Sequence, residues 1–312
     1  MKKILILGGS GFVGRHTCEQ LVRAGWHITV PTRRLSQAAS VQHLPGLTVL
    51  QANILEEADL RSLLPGHDAV INLVAVLHGD AARFERIHVE LPAKLARACQ
   101  ALGIKRLLHV SALGADPLQV ERAPSLYLRS KSRGEAVLRA AEGLALTVLR
   151  PSVIFGADDR FLNLFARLQS LFPLLPLAGA HARFQPVWVE DVALAIARCL
   201  EDVHTIGQTY ELCGPQVMTL AELVALAGEA SGHPRPIIPL PAPLARLQAW
   251  LMELAPGEPL MSRDNLDSMR IDNVAGGQLP GLAALGIKPA AVAGIARAYL
   301  GQQDPWVGVR AR

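Results

Sequence analysis

Short apolar runs alternate with longer amphipathic stretches through the first half of the chain. The runs lie near residues 3–7, 27–30, 47–51, 68–74, 105–110 and 145–150, and stretches of helical length separate them. This rhythm predicts a parallel sheet covered on both faces, because each parallel crossover needs a helix-length connection. Right-handed crossovers then leave few topologies. After Arg150-Pro151 the rhythm breaks, Pro becomes frequent, and helical pieces at 161–171, 219–230 and 243–254 lie between loops. This part reads as a smaller C-terminal α/β lobe. One helix, Val189 to Leu200, carries Val192, Ala193, Ile196, Ala197 and Leu200 at helical spacing and is expected to return to the first half. The expected division is therefore 1–150, joined by about 186–213, with 151–312 mainly the second lobe. No internal repeat or low-complexity segment interrupts it.

At 312 residues the chain is too long for a single small core. Half of its residues are hydrophobic and its mean hydropathy is +0.26, yet no uninterrupted apolar run approaches the ~18 residues of a membrane span. The start, Met1-Lys2-Lys3-Ile4-Leu5-Ile6-Leu7-Gly8, has too short an apolar run for a signal peptide and reads as a first strand. Net charge is +4, with arginines scattered and not massed along one face, so nucleic acid is not an expected partner. Cys18, Cys99, Cys199 and Cys213 lie far apart in apolar stretches, which predicts inert buried thiols in a reducing, cytoplasmic setting. The ten histidines show no HxxxH or HxH spacing with a carboxylate partner, so no metal site is expected.

Two motifs change the picture. The first strand runs straight into Gly8-Gly9-Ser10-Gly11-Phe12-Val13-Gly14, and Arg15 to Ala24 follows with helical periodicity. Gly8 permits a tight turn, Gly11 lets the backbone approach a pyrophosphate, and Gly14 lets the helix pack on the strand, while the helix N-terminus offers amide donors. In this context the motif predicts a dinucleotide site on a doubly wound Rossmann sheet. An NAD enzyme usually presents Asp or Glu at the end of the second strand. Here the sequence is Thr32-Arg33-Arg34, with no acidic residue between Glu19 and Glu56, so the two guanidiniums favour the 2′-phosphate of NADP(H). By the same strand pattern, Asn53-Ile54 follows the third strand where the adenine would lie, and Val74-Ala75 ends the fourth beside the cofactor.

The second motif is Tyr127-Leu128-Arg129-Ser130-Lys131. A spacing of four puts Tyr127 and Lys131 on one helical face. With three Tyr and six Lys in the chain, roughly 0.06 such pairs are expected by chance. Ser111 ends the fifth strand, where an α/β sheet places its site. A phenol with an ordinary pKa of about 10 is a poor base, and a nearby ammonium favours its phenolate. Tyr127 would exchange a proton with a carbonyl or alcohol, Ser111 would hold its oxygen, and Lys131 would also bind the nicotinamide ribose.

Together these residues resemble the atypical extended short-chain dehydrogenase/reductases, and more narrowly the nucleotide-binding accessory subunits of respiratory complex I with their bacterial relatives. The resemblance also covers Ser111-Ala112-Leu113-Gly114-Ala115, Gly134-Glu135, Arg150-Pro151-Ser152-Val153-Ile154-Phe155-Gly156 and Asp159-Arg160-Phe161-Leu162. It continues through Gln185-Pro186-Val187-Trp188-Val189-Glu190-Asp191, Cys213-Gly214-Pro215, Pro256-Gly257-Glu258-Pro259 and Ser262-Arg263-Asp264. It implies bound NADPH with Pro151 and Val153 near the nicotinamide. Two departures stand out: Asn53 where many members have Asp, and Ala75 where Gly is common. The family holds both reductases and a subunit regarded as structural. An NADPH-dependent oxidoreductase of an apolar carbonyl, alcohol or quinone-related compound therefore stands beside a non-catalytic, NADPH-stabilised accessory protein. A sugar-nucleotide epimerase is the third reading.

The C-terminal lobe bears on that choice. Residues 161–175 are densely apolar, and Leu244, Leu247, Leu251 and Leu254 form a stripe at helical spacing. Such stripes usually face a core. Left open, they would instead suit a small apolar ligand, a membrane surface touched from outside, or a protein complex.

Overall fold

The computed structural model describes residues 2–254, 257 and 259–301. Its main sheet contains β1 (Lys3–Leu7), β2 (His27–Thr32), β3 (Leu47–Gln51), β4 (Ala69–Asn72), β5 (Arg106–Val110), β6 (Ala145–Pro151) and the strand Thr209–Leu212. The order across it is Thr209–Leu212, β6, β5, β4, β1, β2, β3, with every pair parallel. The chain reverses its direction of winding between β1 and β4. This is the α/β Rossmann arrangement, and its ligand crevice opens at the carboxyl ends of those two strands.

Position in the sheet explains the strand sequences. β1 lies between two neighbours and under helices, so Ile4, Leu5, Ile6 and Leu7 are all fully buried in an unbroken apolar run. Each such side chain contributes about 1.5–3 kcal/mol relative to exposure. β3, at the edge, is half open and mixed in character. One core cluster joins Leu5, Leu7 and Val70 of the sheet to Leu91, Leu95 and Cys99 of the helix α4 introduced below.

The helices of this unit are α1 (Phe12–Arg23), α2 (Glu57–Leu63), α3 (Ala81–Glu85), α4 (Leu91–Leu102), α5 (Leu126–Ala140) and the helix Val189–Glu201. α3 and α4 are continuous through a π-helical turn, Arg86–Glu90, which no pattern in the sequence announces. α4 ends at Gly103, whose φ of 74° is readily reached only without a Cβ.

The chain divides into two compact units, the first comprising 1–151, 190–212 and 276–287 and the second the remainder. The returning helix is fastened in the first unit by Arg106, whose guanidinium donates to Ala145 O, Thr147 Oγ1, Cys199 O and Thr205 Oγ1. Segment 276–287 corrects the sequence reading, which gave it to the second lobe. It is held in the first unit by Glu211, whose amide donates to Pro280 O at 2.9 Å and whose carboxylate accepts from Gly276 N at 2.8 Å. Nothing in the local pattern of 276–287 signals such pairing.

The second unit is built on helices Leu162–Leu171, Leu220–Ala230 and Val292–Leu300 around Phe155, Phe165, Leu223, Val224 and Val292. The stripe on helix Ala242–Glu253 does not face this core. Only Ala245 and Ala249 of that helix are buried, whereas Leu244, Leu247, Trp250 and Leu251 are 43–55% exposed. Leu254 is also exposed. Among the described residues no helix is long and apolar enough to cross a membrane. Cys18, Cys99, Cys199 and Cys213 are all free and buried.

Candidate functional site

The glycine turn after β1 is shaped by two close approaches. Gly8 has φ 83°, and a Cβ at Gly14 would lie 2.2 Å from Gly8 O. α1 can therefore meet the turn only if position 14 is bare. At Gly11 an added Cβ would meet only Gly8 O, at 3.3 Å, so the chain's own packing leaves this exposed position open. α1 begins here without a side-chain cap and without an acidic residue in its first turn. Its first amides and positive dipole end are thus available to an anion beside Ser10, Phe12 and Val13.

The other strand ends line up along the same edge of the sheet. Arg33 and Arg34 are exposed just past β2, with Thr32 Oγ1 donating to Arg34 O at 3.0 Å. Asn53 is occupied in the turn before α2: its Oδ1 accepts from Leu55 N, and its amide N–H donates to Asp59 at 2.8 Å. Ile54 and Val74 are partly buried and pack their side chains against the core. Ala75 is exposed. Pro151 ends β6, and its carbonyl accepts from Leu113 N at 3.0 Å. Val153 lies in the second unit, where its amide donates to Asn273 Oδ1 at 3.0 Å.

Ser111, Tyr127 and Lys131 converge on the end of β5. Ser125 caps α5 by accepting from Leu128 N, which sets the helix register immediately before Tyr127. Tyr127 packs in the cluster of Ala112, Ala123 and Leu128, and Lys131 Nζ donates to Val110 O at 2.8 Å. The two side chains thus engage the residues on either side of Ser111, whose Oγ is buried without a hydrogen-bond partner. An orphaned hydroxyl of this kind calls for a ligand oxygen or an ordered water.

Electrostatics here differ from the simple expectation. Burial pushes the Tyr127 phenol up to about 12. Burial also brings Lys131 down to about 8, partly opposed by Glu135. At neutral pH the phenol is protonated and the amine mostly charged. This set is poised to give a proton. Glu135, fully buried one turn beyond Lys131, pairs with Arg150 at 2.7 Å and Arg139 at 2.9 Å, tying α5 to the end of β6.

α5 also packs closely on the π-helical turn: a Cβ at Gly134 would sit 1.8 Å from His88 O. Gly134→Ala is expected to lower stability by about 1–3 kcal/mol through backbone displacement. Denaturant unfolding measures this, and a loss below about 0.5 kcal/mol would mean that the helices separate freely.

Several residues escaped the sequence reading because their partners are remote. His16 Nδ1 and Glu190 Oε1 lie 2.6 Å apart across 174 positions, and the bond from His16 lowers the Glu190 pKa. With Glu19 they are the one convergence of potential metal-ligand atoms among the described residues, but the direct bond makes the pair a helix-to-helix clasp. Asn273 joins Ser152 Oγ, at 2.6 Å, to Gln185 N, at 2.9 Å. Of the C-terminal signature, Pro256 and Glu258 lie outside the described residues.

Comparison with known proteins identifies the family. Subunit 9 of the NADH dehydrogenase [ubiquinone] 1 alpha subcomplex from Mus musculus mitochondria is 33% identical over 296 residues, covering 91% of this chain and 76% of the relative. A ceramide reductase from Caulobacter vibrioides is 31% identical over 221 residues, covering 66% and 67%. A UDP-glucuronic acid 4-epimerase from Bacillus cereus, solved with UDP-glucuronic acid and NAD, shares the fold with a TM-score of 0.71 at 17% identity, covering 96% and 99%. Residues 4–213, spanning the glycine turn, the Ser-Tyr-Lys set and the seventh sheet strand, match the NAD dependent epimerase/dehydratase family. The chain belongs to that family, as an extended short-chain dehydrogenase/reductase with an NAD(P)-binding Rossmann sheet.

Proposed function

We propose that the protein is an NADPH-dependent reductase of a carbonyl on an apolar compound. The observation that carries this reading is the unpartnered Ser111 hydroxyl, set between the two β5 residues that Tyr127 and Lys131 engage. Ser111 Oγ donates a hydrogen bond to the carbonyl oxygen and orients it. Tyr127 gives its phenolic proton to the same oxygen as negative charge builds there, a role suited to a phenol held neutral by burial. Lys131, tethered to Val110 O, would keep a positive charge near that oxygen and would hold the nicotinamide ribose. A nicotinamide held there would supply the hydride. The bare Gly11 surface and uncapped α1 start support a pyrophosphate at the glycine turn.

NADP(H) is preferred because Arg33 and Arg34 stand exposed where NAD enzymes place a carboxylate. Calorimetric titration should give at least about tenfold tighter binding of NADPH than of NADH. Changing both residues, Arg33→Ala with Arg34→Ala, should remove that preference, since a charge-assisted phosphate contact contributes about 1.5–3 kcal/mol. Equal wild-type affinities would refute the assignment.

An apolar compound is favoured by a cavity of about 370 Å³ in the second unit, lined by Leu164, Leu168, Phe172, Leu174, Met252 and Leu260 among others, with Gln248 its one polar residue. Steady-state NADPH oxidation against long-chain ketones, quinones and nucleotide sugars tests the whole reading. Turnover with nucleotide sugars alone would replace it with the epimerase reading. A second reading, an NADPH-stabilised accessory protein of a respiratory complex, is favoured by the similarity to the mouse subunit and by the exposed apolar face of helix Ala242–Glu253. Tight NADPH binding without turnover on any of these compounds would support it.

A further inference from the structure

His88 lies in the π-helical turn and is almost fully buried. Both ring nitrogens are used. Nε2 faces Val76 N–H at 3.1 Å, so it must accept, and the ring proton therefore sits on Nδ1, 2.8 Å from Ser130 Oγ. Ser130 accepts that bond and passes its own hydrogen to Tyr127 O at 2.7 Å. The imidazole plane stacks on Phe84, with centroids 5.6 Å apart, and meets Tyr127 edge-on at the same distance.

The two ends of this bridge lead to the two halves of the proposed chemistry. Val76 belongs to the segment after β4, which is anchored on its other side by Val74 N donating to Asn72 Oδ1 at 3.1 Å. That segment abuts the glycine turn: a Cβ at Gly8 would lie 3.3 Å from Leu73 C and 3.4 Å from Val74 N. Ser130 belongs to α5, beside Lys131 and one turn from Tyr127. A bulky apolar residue would fill the space between Phe84 and Tyr127 equally well. It would leave the part-buried Val76 N–H without this acceptor. A neutral imidazole with one donor and one acceptor matches this gap, and protonation would set N–H against N–H, consistent with a His88 pKa held down at about 2 by burial and by Lys131.

We propose that His88 is a positioning residue: it fastens the segment beside the glycine turn to the helix carrying Tyr127, so that nucleotide binding and the placement of the phenol are linked through one side chain. This inference rests on the nucleotide-binding reading above. It makes the π-helical turn the mechanical joint between cofactor and acid.

The test uses the full chain labelled with ¹³Cζ-tyrosine. It has only three tyrosines, so the Tyr127 resonance is identified by its loss in Tyr127→Phe. NADPH addition should shift that resonance in the wild type. His88→Phe, which keeps the ring packing and removes both polar bonds, should bind NADPH about tenfold more weakly and lose most of the NADPH-induced shift. His88→Gln, which restores one acceptor and one donor, should recover at least half of the shift. Ser130→Ala breaks the bridge from the other end and should act like His88→Phe; it decides the matter if His88→Phe does not fold. A purely structural role would lower the melting temperature of these variants and leave the Tyr127 response intact. A folded His88→Phe or Ser130→Ala with affinity within about twofold of wild type and an unchanged Tyr127 shift would overturn the inference alone. No NADPH effect on the wild type would overturn the nucleotide reading and this one with it.

Discussion

Tyr127→Phe is expected to lower NADPH-linked turnover by about 10²–10⁴-fold, the range that a positioned proton donor supplies. That is about 3–5 kcal/mol of transition-state stabilisation. Nucleotide affinity should stay within about threefold, because the phenyl ring still packs against Ala112, Phe84 and His88 and only the hydroxyl is gone. The check is kcat and KM on the best carbonyl substrate, with NADPH affinity measured separately. Lys131→Ala should weaken both turnover and binding, since its ammonium serves both. Turnover in Tyr127→Phe within about tenfold of wild type would remove the phenol from the chemistry.

Acid is expected to destabilise the fold well before carboxylates are protonated. Burial, then Lys131, holds His88 at about 2; burial, then Lys131 and His88, keeps His109 well below the usual histidine range. In the unfolded chain both titrate near 6.5. Below that pH the unfolded state binds protons that the folded state refuses, so stability is full above about 6.5 and declines as pH falls. The neutral His88 imidazole accounts for about 1.4 kcal/mol per pH unit, or about 2 kcal/mol at pH 5, and His109 acts in the same direction. Urea unfolding at pH 7.5, 6.5, 5.5 and 5.0 measures the decline, and a folded His88→Phe should show a smaller one. Equal stability at pH 7.5 and 5.0 would mean that both rings take up protons inside the fold.

The Rossmann half was legible because its signals are local. An unbroken apolar run such as Ile4 to Leu7 marks a strand buried on both faces, and Gly8 and Gly14 sit where the backbone allows nothing else. The proposed pair of Tyr127 and Lys131 stood out by helical spacing and by rarity. What stayed hidden depends on distant partners. The clasp of His16 with Glu190 and the Asn273 hub join residues more than a hundred positions apart. The apolar stripe at Leu244 to Leu254 exposed a different limit: amphipathic spacing identifies one face of a helix without saying what that face meets, and here it meets solvent. The Tyr127 phenol shows the same limit in electrostatics, because the sequence displays the neighbouring lysine but not the burial that outweighs it.

The division of the chain also governs how the protein can be made and cut. The backbone passes from one unit to the other at 151/152, 189/190, 212/213, 275/276 and 287/288, so neither unit corresponds to a single stretch of sequence. During synthesis from the N-terminus, the sheet waits for its seventh strand until residues 209–212 emerge, and the first unit is incomplete until residue 287 has been added. Parallel strands joined over such separations close slowly, since the entropy of long loops must be overcome before their pairing contributes. A fragment ending at Pro151 would leave β6 as an open edge whose unpaired backbone in the native chain is covered by Thr209–Leu212. Dissection into soluble halves therefore requires grafting the returning segments, not truncation.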